Sequence, residues 1–289
     1  QALYRGSFYR GGPILTSALS GIEQAMWDIL GKSLNTPVHQ LLGGAVRDRV
    51  QVYAHTGGGT LEELCIRSKE LVRKGFRVLK TGFDPPVAYI ENKNFVDSCV
   101  DRFAALRDSV GTNVDLAIDF HGRFSPAMSK RMIRALEPYY PFFIEEPCLP
   151  GNIDALIELK NSTTVPLATG ERLFTKWGFR ELIERKAVAI LQPDLCHAGG
   201  IGEVKKIAAM AEACDLAVAP HNPLGPISLA ACLQLDACTH NAFLQEQVTL
   251  GEGYLKTPFE AEEGYINVPE NPGLGIELDL RSIKELEYD

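Results

Sequence analysis

Three carboxylates, Asp119, Glu145 and Glu171, recur at equal intervals of 26 residues, each closing a short apolar or β-branched run. One such acid alone would cap a helix or sit in water. Three in register repel one another unless a cation neutralises them, and a hard divalent ion such as Mg²⁺ does so with oxygen ligands while keeping positions for water and substrate. His121 follows Asp119 by two residues, so on a strand the two side chains share a face. His221 and Asp194 end two successive runs and could meet across neighbouring strands. A carboxylate there would fix the tautomer of the imidazole and raise its basicity, as a general base requires. Asn222 follows His221, and Glu246 ends the last run. His55, His197 and His240 have no partner suggested by spacing and read as structural. The stretch Gly199-Gly200-Ile201-Gly202 opens a helix and could cradle an anion, or simply make a tight turn.

These residues owe their positions to a rhythm of short runs and helical stretches. Strands are expected at 50–55, 76–81, 115–120, 141–146, 165–170, 187–193, 216–221 and 242–247, with amphipathic helices between them. Eight such units point to an α/β fold with a closed parallel barrel, whose active site gathers at the carboxyl ends of the strands. Before the barrel, apolar residues Ala18, Leu19, Ile22, Ala25, Met26, Ile29 and Leu30 predict a helix over Thr16 to Lys32. After it, Gly251 to Asp289 carries Pro258, Pro269 and Pro272-Gly273 and reads as an irregular tail with one short strand.

A chain of 289 residues suits one barrel with short attachments, since such a barrel commonly takes about 250. A net charge of −8 and the lack of Lys and Arg clusters argue against nucleic acid or a membrane surface as partner. The seven cysteines are scattered without a Cys-x-x-Cys pair, which fits a reducing cytosol. No apolar run reaches the roughly 18 residues of a membrane span. The start lacks both Met and a signal-peptide pattern, so a fragment or processed form is expected. A metal-dependent hydrolase is disfavoured, because Tyr53-Ala54-His55 offers no His-x-His ligand pair.

The stretch ALSGIEQAMWDILGKSLNTPVHQLLG from Ala18 to Gly43, followed in order by IDFHGR, FIEEP, GER, LQPDL, APHNPLGP and LQEQ, resembles the mandelate racemase branch of the enolase superfamily over nearly the whole chain. The resemblance implies a modified TIM barrel at 49–249, a remnant of an N-terminal α+β capping domain with a linking helix at 1–48, and a segment at 250–289 that packs on one or the other. It implies that Asp119, Glu145 and Glu171 hold Mg²⁺, that His221 takes the proton alpha to a substrate carboxylate with Asp194 orienting it, and that His121 protonates the departing hydroxyl. Glu246, Arg123, Asn222 and Lys80 would contact substrate. The partner implied is a small-molecule sugar acid, an aldonate such as galactonate, dehydrated to a 2-keto-3-deoxy acid by a homo-oligomer in the cytoplasm. Racemases of this branch carry a second base in a Lys-x-Lys motif; here the stretch is Lys80-Thr81-Gly82, which favours dehydration over racemisation or epimerisation of an α-hydroxy acid. Loss of the capping domain leaves a third expectation, a catalytically idle barrel.

Overall fold

Short runs that are apolar on both faces become parallel strands, because one face can meet the opposite side of a barrel while the other meets surrounding helices. A computed structural model describes residues 2–6, 8–9, 11–83 and 86–284. The end of the expected C-terminal segment, 285–289, and positions 1, 7 and 10 of the amino-terminal one lie outside the described residues. The chain opens with helices α1 (Ala2–Arg5), α2 (Gly12–Ser33) and α3 (Val38–Leu41). The barrel strands are β1 (Arg49–His55), β2 (Val78–Gly82), β3 (Asp115–Asp119), β4 (Ile144–Glu145), β5 (Leu167–Thr169), β6 (Ile190–Leu191), β7 (Ala217–Val218) and β8 (Gln245–Gln247). Between successive strands lie α4 (Leu61–Arg73), α5 (Lys93–Val110), α6 (Pro126–Leu136), α7 (Ile153–Asn161), α8 (Thr175–Glu184), α9 (Ile201–Glu212) and α10 (Pro226–Ala237). Sequential strands pair in parallel from β1 to β7, β8 pairs with β1, and a parallel bridge from Val218 to Ala242 closes the ring.

Outward-facing Val52, Leu79, Leu116, Ile118, Ile144, Leu167, Leu191 and Val218 pack with helix residues in one continuous core. Thr60, Asn92, Ser125 and Asn152 each cap the following helix by accepting a backbone N–H, and Thr60 with Glu63 completes a capping box. Among the described residues no helix is long and apolar enough to cross a membrane.

One expectation changes. The tail holds two strands, β9 (Ala261–Glu262) and β10 (Tyr265–Asn267), in a hairpin whose second strand pairs antiparallel with Arg49–Gln51 of β1; α11 (Leu280–Lys284) follows. The hairpin covers the backbone of β1 that projects beyond its parallel neighbours. Helix α2 turns a polar face to the barrel: Thr16, Ser20, Gln24 and Gly31 are buried, while Ile22, Met26, Ile29 and Leu30 of the apolar stripe are exposed.

Gly31 lets α2 approach the C-terminal segment. A Cβ there would stand 2.6 Å from Gly273 Cα and 2.8 Å from the Thr36 carbonyl oxygen, both backbone atoms with little freedom to move. Gly31→Ala should therefore lower the unfolding free energy by about 1–3 kcal/mol. Urea and thermal midpoints read this directly; unchanged midpoints would show that the contact relaxes freely.

Candidate active site

The site is built by the two-residue period of the strands. Tyr53, Val78, Ala117, Phe143, Ala168, Ile190, Ala219 and Leu244, one from each strand or its edge, form a buried apolar cluster inside the barrel. Two residues further along, each chain segment presents its next inward position: His55, Lys80, Asp119, Glu145, Gly170, Gln192, His221 and Glu246. An apolar floor thus carries a polar layer at the carboxyl-end mouth, and Gly170 leaves a gap in that layer beside Glu171.

Within the layer, the Lys80 ammonium donates to Glu145 Oε2 and Glu246 Oε1, both at 2.7 Å. Gln192 Nε2 adds a bond of 2.8 Å to the same oxygen of Glu145, whereas Glu145 Oε1 is buried without a hydrogen-bond partner. Glu246 is better served: His55 Nε2 donates to Oε1 at 2.6 Å and the Asn222 N–H to Oε2 at 2.6 Å. The two carboxyls diverge accordingly. Burial outweighs Lys80 and pushes Glu145 up to about 8, while Lys80 and His55 overcome burial and hold Glu246 well below the usual carboxylate range.

His221 bridges two acids, with Nδ1 donating to Asp194 Oδ2 at 2.9 Å and Nε2 standing 3.1 Å from Glu171 Oε2. Burial alone would lower its pKa, but those bonds and the charges of Glu246 and Glu171 raise it to about 10. Conversely, His221 and Arg172 bring Glu171 down to about 2 against the cost of burial. An imidazolium, an ammonium and the Arg172 guanidinium, 3.3 Å from Glu171 Oε1, therefore face this acid cluster. Glu145, Glu171 and His221 offer ligand atoms within 4.8 Å of one another, a group that could hold a metal ion, and the unpaired Glu145 oxygen is a ready additional acceptor. Asp119 stands apart from that group. Its Oδ1 accepts from the His121 N–H at 2.7 Å and its Oδ2 from His121 Nε2 at 2.8 Å.

His121, just past β3, has a left-handed backbone (φ 51°), and the Asp119 hydrogen bond raises its pKa against the effect of burial. A Cβ at Gly82 would lie 3.6 Å from His121 Cε1, in ordinary contact with the ring. Arg123 is exposed and donates from Nη1 to the Phe83 carbonyl at 2.7 Å. Lys80, expected against substrate, is buried in the same layer with its charge shared by two acids. Glu146 accepts from Thr169 Oγ1 and from the Gly170 N–H at 3.2 Å, and its Oε2 lies 3.6 Å from the Arg172 Nε that also contacts Glu171.

Sequence reading missed His55 and Gln192, although counting two residues on from the apolar floor would have found both. The cradle at Gly199–Gly202 does bind an anion, but it is the chain's own: Glu23 accepts from the Ile201 and Gly202 N–H groups at 2.7 and 2.8 Å.

Comparison with known proteins agrees with this geometry. Residues 63–282 match the model described as enolase C-terminal domain-like, and residues 1–43 match the mandelate racemase / muconate lactonizing enzyme N-terminal domain. The D-galactonate dehydratase of Ralstonia nicotianae is 48% identical across 96% of this chain and 76% of its own length. That of Variovorax paradoxus is 46% identical across 98% and 77%. Among solved structures, a mandelate racemase/muconate lactonizing enzyme-like protein from Rubrobacter xylanophilus superposes with a TM-score of 0.93 at 35% identity, covering 99% of this chain and 81% of that one. A mandelate racemase/muconate lactonizing enzyme from Jannaschia gives 0.93 at 34%, covering 100% and 78%. With a match spanning most of the barrel and relatives this similar, the chain belongs to the mandelate racemase and muconate lactonizing enzyme family of the enolase superfamily.

Proposed function

We propose that the chain dehydrates a sugar acid, an aldonate of the galactonate type, with Mg²⁺ as cofactor. The observation that carries this reading is a pair of imidazoles, each held by its own carboxylate, after β3 and β7. Those strands are four apart in a ring of eight, so the two rings stand on opposite sides of the mouth. Relatives at 48% and 46% identity bear the name D-galactonate dehydratase, which points the same way.

Asp119, Glu145 and Glu171 would hold the ion, and the unpaired oxygen of Glu145 supports this. Bound there, Mg²⁺ supplies positive charge against the negative charge that builds on the substrate carboxylate as the alpha proton leaves. His221 would act as base through Nε2, which stands 3.1 Å from Glu171 Oε2, a carboxylate that would be shared with the ion. Asp194 keeps the opposite ring nitrogen in place. His121 gives its proton to the 3-hydroxyl: the C–H and C–O bonds break, a C=C bond forms, water departs, and the enol becomes a 2-keto-3-deoxy acid. Lys80 offsets the acids. Glu246 stands towards the substrate carboxylate, and Asn222 and Arg123 contact hydroxyls.

The same reading divides the chain into part of a capping domain with its linking helix (1–48), the barrel (49–249) and a segment packed against them (250–289). The match of the N-terminal-domain model to residues 1–43 supports the first division.

Replacing His221 by Ala should cut keto-acid formation from galactonate by a factor of about 10² to 10⁴, with Mg²⁺ still bound. Near-normal turnover in that variant would remove His221 from the base role. Metal affinity should also tighten as pH rises. Glu145 near 8 and His221 near 10 both hold protons at neutral pH that an incoming cation must displace, so binding releases protons. Titration calorimetry at pH 7 in buffers of different ionisation enthalpy measures the release, and affinity independent of pH from 6 to 9 would contradict the site.

A further inference from the structure

The buried face of α2 is polar although its sequence offers an apolar one, and burying polar groups is unfavourable unless each finds a partner. Four side chains find theirs on the loop that follows β6 or on the first turn of α9, whereas the Thr16 hydroxyl is buried without a hydrogen-bond partner. Gln24 Nε2 donates to the Leu195 carbonyl at 3.0 Å, and Ser20 Oγ accepts from the Gly199 N–H at 2.9 Å. Ser17 Oγ lies 2.8 Å from His197 Nδ1, and Glu23 takes the N–H groups of Ile201 and Gly202. Spacings of three and four residues put these groups on one side of the helix.

That loop also carries Asp194. Its Oδ1 accepts from the Cys196 N–H at 2.7 Å, and its Oδ2 accepts from His221. The Leu195 carbonyl and the Cys196 N–H belong to a single peptide unit, which is planar and stiff. Gln24 therefore grips one edge of a plate whose other edge grips Asp194. We infer that Gln24 is a positioning residue for the reaction: through the 195–196 peptide it fixes Asp194, and through Asp194 the angle of the His221 ring, with Ser20 anchoring the far end of the loop. This rests on the base role proposed for His221.

A mere packing contact would not need a donor at Gln24, which is 4% exposed; leucine has similar bulk there and cannot hold the carbonyl. In wild-type protein without substrate, the Nδ1 proton of His221 should give a low-field NMR resonance protected by Asp194 and absent from His221→Asn. In Gln24→Leu that resonance should broaden or move upfield. With substrate and Mg²⁺, kcat should drop by about 10- to 100-fold, in line with the cost of an ångström-scale misplacement, while KM changes less than about twofold. The isotope effect with alpha-deuterated galactonate should grow as proton removal becomes slower than the steps around it. Should Gln24→Leu fail to fold, Ser20→Ala relaxes the same loop and should shift the resonance in the same direction. A wild-type protein without the resonance, or variants that leave both resonance and isotope effect unchanged, would overturn the inference. Full activity of His221→Ala would sink the base role instead, and the substrate-free resonance tells the two failures apart.

Discussion

One buried ammonium between two carboxylates sets the terms for the rest of this molecule. Lys80 cannot neutralise Glu145 and Glu246 fully, and Asp119 and Glu171 add more negative charge nearby. Burying such a cluster is expensive, and an apolar filling of the same volume would be the more stable choice. His221, between Asp194 and Glu171, is raised to about 10 by these acids and Glu246, and so adds a positive charge to the cluster. A divalent ion held by these acids, as proposed above, would offset that imbalance.

The barrel separates stability from chemistry by a single step of the strand. Residues of the floor fill the interior with side chains of unequal size, Tyr53 and Phe143 beside Ala117, Ala168 and Ala219, and so fix where the strands end. The polar layer above inherits that precision without having to build it. Helix α2 then braces the mouth from outside, through hydrogen bonds to backbone groups of the loop bearing Asp194.

Much of this was legible in the chain itself. Strand positions followed from short apolar runs, and Asp119, Glu145, Glu171, Asp194 and His221 from the polar residues that end them. The pairing of Asp194 with His221 followed from strand order, and the structure has it at 2.9 Å. His55 escaped because its partner, Glu246, lies 191 residues away and meets it only when β8 closes against β1. The orientation of α2 escaped for a different reason. Amphipathic patterning presumes that the apolar stripe turns inward, whereas the partners of its polar side are main-chain groups that no sequence pattern advertises. Both oxygens of Asp119 accept from His121, a local pairing that the spacing of the three acids does not reveal.

Glu23 at the start of α9 has a chemical consequence. Barrel enzymes that act on phosphorylated compounds often seat the phosphate at a helix start, where free N–H groups and the helix dipole favour an oxyanion. Here those groups are already taken by a carboxylate of the same chain. A sugar bearing a phosphate tail would have to displace Glu23 before it could anchor at this helix.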